Sequence, residues 1–391
     1  MTGMGRREYL RAIYERYRRS SKEKKGTILD EFCRVCDYHR KHAVRLLRGP
    51  CPERVPRPRR SRGPSYGRSA IQALAVVWEA AGYPWSVRLK AMLPLWLPWL
   101  RQRMTLSSEV ERQLQAISPR QIDRRLQSRK RVLRRRIYGR TKPGTLLKHH
   151  IPIKTDHWNV TRPGFTEIDL VSHSGDCADG EFAHSFNLTD IYTTWTETRA
   201  VLGKGQTGIV AALEDMRQGL PFALRGIDSD NGSEFLNHHL VSYCRAQEIQ
   251  FTRGRPYKKD DNAHIEQKNW THVRRLIGWD RYDNAAAVGL LNDLYCHELR
   301  LMMNLFQPSV KLLRKERVGS RLKRIYDRPQ TPLDRLRASK QFARAQMTEL
   351  LRLRAATDPF ELAKTIDKKL ERIAALARRQ DGSTRVTSQT A

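Results

Sequence analysis

Long apolar runs are missing from this chain of 391 residues. The most apolar stretch, Met92 to Leu100, is nine residues long and contains Pro94 and Pro98, which is too short to cross a bilayer. Residues 1–10 (MTGMGRREYL) lack the apolar core of a secretory signal. Cysteine is scarce and scattered: six residues in a chain of this length do not make a disulfide framework, and the expected setting is a reducing cytoplasm. Negative charge is also short, with 41 Asp plus Glu against 74 Lys plus Arg and a formal charge of +33. Aromatics are not short. Eight Trp, 13 Tyr and 10 Phe exclude wholesale disorder. So much positive charge calls for a polyanionic partner, nucleic acid or an anionic membrane surface.

The charge is unevenly distributed. Residues 1–150 hold 37 basic and 11 acidic side chains, residues 151–280 hold 14 and 18, and residues 281–391 hold 23 and 12. A basic N-terminal half therefore precedes a slightly acidic middle and a basic tail. The chain is too long for one core, and the expected division is 1–50, a helical DNA-binding unit; 51–68, a basic Pro/Arg linker; 69–145, further helical DNA-binding units; 155–285, an α/β core; 286–330, a connecting helix and small β region; 331–380, C-terminal helices; and 381–391, a disordered tail.

In the N-terminal half, Tyr9, Leu10, Ile13, Tyr14 and Tyr17 form one stripe of a helix over 6–19. A second helix is expected over 27–35, a break at Asp37-Tyr38, and a basic helix over 40–48 carrying Arg40 and Lys41. That outline is a helix-turn-helix, whose second helix enters a major groove. Residues 69–103 repeat it around Gly82-Tyr83-Pro84. A third unit starts at Ser118, with Pro119 at the first helical position and Gln121 placed for a capping box. The helix after it carries Arg120, Arg124 and Arg125. The stretch 49–68 holds five Pro and six Arg, among them Arg57, Arg59 and Arg60, and is either a minor-groove arm or a solvated spacer. Cys33, Cys36, His39 and His42 have zinc-ligand chemistry but are spaced too tightly for the usual structural site; packed cysteines and DNA-facing histidines are the alternative.

In the middle, residues 165–173, 181–192 and 195–203 read as strands, followed by a helix over 206–218, a strand over 222–227, a helix over 233–247, a short strand over 249–252 and a helix starting near Asp260. This is an α/β order with a mixed sheet. Three acids fall where the order could bring them together: Asp169 in mid-strand, Asp230 past a strand's C-terminal end, and Glu266 on the last helix. Converging carboxylates repel unless divalent cations hold them. The competing reading makes each acid a cap or surface group, as suits Asp260, Asp261 and Glu234. Asp228 shares a strand face with Asp230, so residue spacing does not separate them.

The segments TEIDLVSHSG, DSDNGSEF and YKKDDNAHIEQKNWTHVR resemble the catalytic core of insertion-sequence transposases related to retroviral integrases, whose fold is ribonuclease-H-like. The resemblance covers roughly residues 160–280. It implies a DDE triad at Asp169, Asp230 and Glu266, with 35 residues between the last two, holding two Mg2+ or Mn2+ ions. It implies hydrolysis at the element's ends, joining of the freed 3′-OH to target DNA, terminal inverted repeats as partners, and a homo-oligomer on DNA with no membrane role. In this light Asn231, Gly232, Asn262 and Asn269 support the site, and Lys258, Lys259, Lys268, Arg274 and Arg275 are expected to meet phosphates. The expected place of action is the bacterial cytoplasm, at the nucleoid. The alternative function is a catalytically inactive or domesticated DNA-binding regulator that retains the fold.

Beyond the core, basic and apolar residues alternate over 310–318 and 320–326 around Gly319, as in a small hairpin. Helix returns over 332–380, with Leu362, Ile366, Leu370 and Ile373 as a stripe that covers either another protomer or the chain's own core.

Overall fold

The computed structural model describes residues 3–51, 66–138, 160–177, 179–229, 238–253, 263–318 and 321–377. The expected linker at 52–65, with Arg57, Arg59 and Arg60, lies outside them. Two units divide the chain, Met1–Ser65 and Tyr66–Ala391.

In the first unit three helices, α1 (Gly3–Arg19), α2 (Lys22–Cys36) and α3 (Arg40–Arg48), close on a small core. Leu10, Ile13, Tyr17, Phe32, Cys36 and Leu47 meet there, and Phe32, Cys36 and Leu47 are fully buried. Full burial of one such side chain contributes about 1.5–3 kcal/mol. The expected break is real: Asp37 ends α2 in the left-handed region at φ 53, a conformation that a short polar side chain tolerates. His39 caps α3, its ring nitrogen accepting from Lys41 N–H at 3.4 Å.

The second unit begins with α4 (Arg68–Ala80) and α5 (Ser86–Arg101), joined through Gly82 and Tyr83, both with positive φ. The apolar run of the sequence lies inside α5, where Met92, Leu93, Trp96, Leu97 and Leu100 are buried. Among the described residues no helix is long and apolar enough to cross a membrane. Next come α6 (Ser108–Ala116), α7 (Pro119–Arg125) and α8 (Gln127–Tyr138). Ser118 caps α7 by accepting from Gln121 N–H at 3.3 Å. The reciprocal half of the capping box does not form: Gln121 Oε1 is buried without a partner.

A five-stranded sheet follows, built from β1 (Phe165–Ser172), β2 (Ala183–Asp190), β3 (Thr196–Leu202), β4 (Gly226–Ser229) and β5 (Gln250–Arg253) in the order β3-β2-β1-β4-β5. β1 to β3 are antiparallel neighbours, while β4 and β5 run parallel to β1. Helices α9 (Gln206–Gly219) and α10 (His238–Ala246) are the crossovers. This is the ribonuclease-H-like arrangement. β4 starts at Gly226, later than the expected 222, because the parallel pairing with β1 begins at Phe165↔Gly226; just before it, Arg225 and Gly226 N–H both donate to the Gly164 carbonyl.

From Ala263 to Ile277 runs a composite helix: α11 (Ala263–Lys268), π-helical turns over Asn269–Arg274, and α12 (Arg275–Ile277). After α13 (Ala285–Leu294), further π-helical turns cover Tyr295–Leu299 and Met302–Phe306. The small hairpin is β6 (Leu312–Val318) with β7 (Arg321–Tyr326). Three helices end the described chain: α14 (Pro332–Ser339), α15 (Arg344–Ala356) and α16 (Pro359–Ala375). The stripe on α16 packs on its own unit, with Phe360 edge-on to Trp96 at 4.8 Å and Leu362, Ile366 and Ile373 buried.

Candidate nucleic-acid interface and the acidic face of the sheet

On β1, Glu167 and Asp169 are two residues apart and so share one face of the sheet. A row of paired positions, Asp169↔Asn187↔Thr198, crosses β1, β2 and β3. Its side chains are linked in series. Thr198 Oγ1 donates to Asn187 Oδ1 at 2.7 Å, Asn187 Nδ2 to Asn269 Oδ1 at 2.5 Å, and Asn269 Nδ2 to Asp169 Oδ2 at 2.5 Å. Leu170 N–H donates to the other Asp169 oxygen at 2.8 Å. Glu167, 2% exposed, accepts Ile265 N–H from α11 at 2.8 Å, which seats that helix on the sheet. Sequence reasoning missed Glu167, although its alternation with Asp169 in TEID was the available signal. Asp228 accepts from Thr252 Oγ1 at 2.7 Å. Glu266 lies in the first turn of α11 with its side chain exposed.

Asp230, Asn231, Gly232, Asn262, Lys258 and Lys259 lie outside the described residues, as do Glu234, Asp260 and Asp261. Among the described residues no group of three or more His, Cys, Asp or Glu side chains could hold a metal ion. This corrects the expected metal-dependent polynucleotidyl transferase, its DDE and magnesium signature and its Mg2+ or Mn2+ pair. The described acids are held apart in separate hydrogen bonds: Asp169 accepts from an asparagine amide and a backbone N–H, Glu167 from a backbone N–H on α11, and Asp228 from a threonine hydroxyl. The finding extends to Cys33, Cys36, His39 and His42. Cys36 is buried in the first unit's core, His39 caps α3, and His42 lies edge-on to Tyr38 at 4.9 Å.

The basic candidates divide by exposure. On α3, Arg40, Lys41, Arg45 and Arg48 are exposed, and Arg40 pairs with Asp30. At the α7–α8 corner, Arg120, Arg124, Lys130 and Arg131 line a concave surface together with Asp123 and Gln127. Asp123 is matched there by Lys130 at 2.6 Å and Ser86 Oγ at 2.7 Å, which leaves Arg120, Arg124 and Arg131 to set the sign of the surface. Arg125 turns away to the ring of Tyr66, 5.9 Å from its centroid. Arg274 stacks over Trp279 at 4.0 Å, and Arg275 donates to the Gly82 carbonyl. Lys268 differs from its expected role as a phosphate contact. It is 7% exposed, because it falls on the same helix face as the buried Ile265 and His272.

Histidine chemistry is muted on this sheet. His173 is buried against Ser185 at 2.7 Å, and burial, helped by Arg274 and His184, pushes its imidazole down to about 3. Asp190 is pushed up to about 6 by burial, although Thr193 and Gly164 N–H groups bond it.

No family model matches the chain. The uncharacterized protein y4rM of Sinorhizobium fredii is 41% identical over 333 residues, covering 84% of this chain and 94% of that protein. Among solved structures the likeness is weak and falls on integrase catalytic cores. The catalytic core domain of BIV integrase is 16% identical, covers 45% of this chain and 95% of its own, and has a TM-score of 0.30. The HTLV-2 integrase catalytic core domain in complex with magnesium is 13% identical, covers 38% and 91%, and has a TM-score of 0.29.

Proposed function

The chain belongs to the family of the y4rM protein of Sinorhizobium fredii, and for this member we propose a DNA-binding regulator that retains a ribonuclease-H-like fold without metal-dependent phosphodiester chemistry. The observation that carries the reading is the concave surface of Arg120, Arg124, Lys130 and Arg131, where a single carboxylate is already matched. Such a surface gains affinity by displacing counterions from phosphates. The exposed stripe Lys41, Arg45 and Arg48 on α3 supports the same reading, since the second helix of a helix-turn-helix is the one that meets a groove. The hydrogen bonds to Asp169 and Glu167 support the non-catalytic side: they give these acids a part in holding the composite helix on the sheet. A bacterial nucleoid in the cytoplasm is the place of action that a DNA partner implies.

The test is a salt titration of the full chain on duplex DNA. About 6–10 phosphate contacts should cost roughly 10³–10⁵ in affinity between about 50 and 200 mM salt. An affinity that is flat across that range argues against phosphate-driven binding and sinks the proposal.

A further inference from the structure

A cavity of about 120 Å³ lies between α4, α5, the composite helix, the π-helical turns Met302–Phe306 and α16. Arg88, Arg275, Thr271, His272 and Gln307 line its polar side, and Met302, Met303 and Ile366 stand on its apolar side. The arginines here meet neutral acceptors. Arg88 donates Nε to the Pro308 carbonyl at 2.6 Å and Nη2 to Gln307 Oε1 at 3.2 Å, and Arg275 donates to the Gly82 carbonyl. One turn before His272, the buried Lys268 adds a further cation beside Arg88. Burial, then Arg88 and Arg335, pull its ammonium down to about 7. Burial, then Lys268 and Arg88, hold the His272 imidazole well below its usual range. Arg335 is itself matched by Asp327 at 2.5 Å. Asp367 also lines the cavity, where burial and Glu371 push its carboxyl up, and its carboxylate makes no ion pair with Arg88 or Arg275.

The half-buried Arg88 guanidinium donates only to a carbonyl and an amide, which leaves its charge unneutralised at the cavity wall, and an apolar wall facing it favours a ligand with two ends. We infer that this cavity binds a small organic anion, its carboxylate or phosphate head on Arg88 and Arg275 and its apolar body against Met302, Met303 and Ile366. Inorganic phosphate satisfies the head but leaves the apolar wall unused. The site is independent of the DNA-binding reading, and its test contains no DNA.

The full chain is titrated calorimetrically with benzoate, phenyl phosphate, inorganic phosphate and the neutral benzamide. Benzoate or phenyl phosphate should saturate the protein, and benzamide and inorganic phosphate should bind at least about tenfold more weakly. Arg275→Gln, at an exposed position, should weaken the anion about tenfold. The inference is overturned if neither organic anion saturates below about 10 mM, if benzamide or inorganic phosphate binds as tightly as its organic-anion counterpart, or if Arg275→Gln leaves the affinity unchanged.

Discussion

Asn269, on the π-helical part of the composite helix, donates its side-chain amide to the carboxylate of Asp169 in the middle of β1. The same residue accepts from Asn187, so one side chain closes a hydrogen-bonded row that crosses three strands. Removing it strands a carboxylate oxygen and an amide together. Asn269→Leu is expected to cost about 1–3 kcal/mol of unfolding free energy, read from urea denaturation. Thr198→Val, at the far end of the row, should cost less, because it leaves one buried acceptor, Asn187 Oδ1, without its donor, where Asn269→Leu leaves two groups unmatched. Equal costs would show that the row is not held by Asn269.

The basic corner predicts how individual arginines share the DNA affinity. Arg120→Ala, Arg124→Ala and Arg131→Ala should each lower the slope of log affinity against log salt by about 0.9. Lys268→Ala should leave the slope unchanged, since that side chain is buried. A Lys268 effect on the slope as large as that of Arg124 would place the interface elsewhere.

Leu47 is fully buried in the small core of the first unit. Leu47→Ala should cost that unit about 2–5 kcal/mol, enough to unfold a three-helix core of this size. Two-probe thermal melting should then lose an early transition and keep the later one. DNA affinity should fall by the share that α3 carries, and an unchanged affinity would remove α3 from the interface.

Lys268 gives a pH signature with a definite sign. Its ammonium titrates near 7 in the folded chain, against 10.5 for the free side chain. Between those values the unfolded state binds more protons, so unfolding free energy rises with pH. The destabilisation is present in full below pH 7 and is relieved as pH climbs towards 10.5. Melting temperatures from pH 7 to 9.5 should therefore rise in the wild type relative to Lys268→Met, which lacks the titrating group. Parallel curves for the two proteins would mean that Lys268 keeps its proton in the fold.

The sheet was legible because its strands are rich in β-branched and aromatic residues with short polar breaks, as in TEIDLVS and TETRAVL. The hairpin β6–β7 was legible from its alternation around Gly319. Strand ends were harder, since β4 begins where pairing with Phe165 dictates and not where the apolar run starts. The C-terminal helical region breaks at Lys340, in the left-handed region at φ 57, which composition does not announce, and at Thr357, where the following Asp358-Pro359 pair caps and starts α16. π-Helical turns leave no distinct periodicity over six residues, so the rotation that brings Asn269 over Asp169 could not be read. The metal expectation rested on the resemblance and on the spacing of acids. Spacing does not show that Glu167, Asp169 and Asp228 already serve backbone, amide and hydroxyl donors. The burial of Lys268 did have a signal, its place in line with Ile265 and His272, which the charge of the side chain obscured.

The proposed function is DNA binding without metal-dependent cutting or joining. The most direct measurement incubates the full chain with labelled duplex and supercoiled plasmid, once with Mg2+ or Mn2+ and once with a chelator, and resolves complexes and products side by side. The account predicts the same retarded complexes in both conditions and no nicked or joined DNA in either. Metal-dependent cleavage or joining that disappears in Asp169→Asn would contradict it.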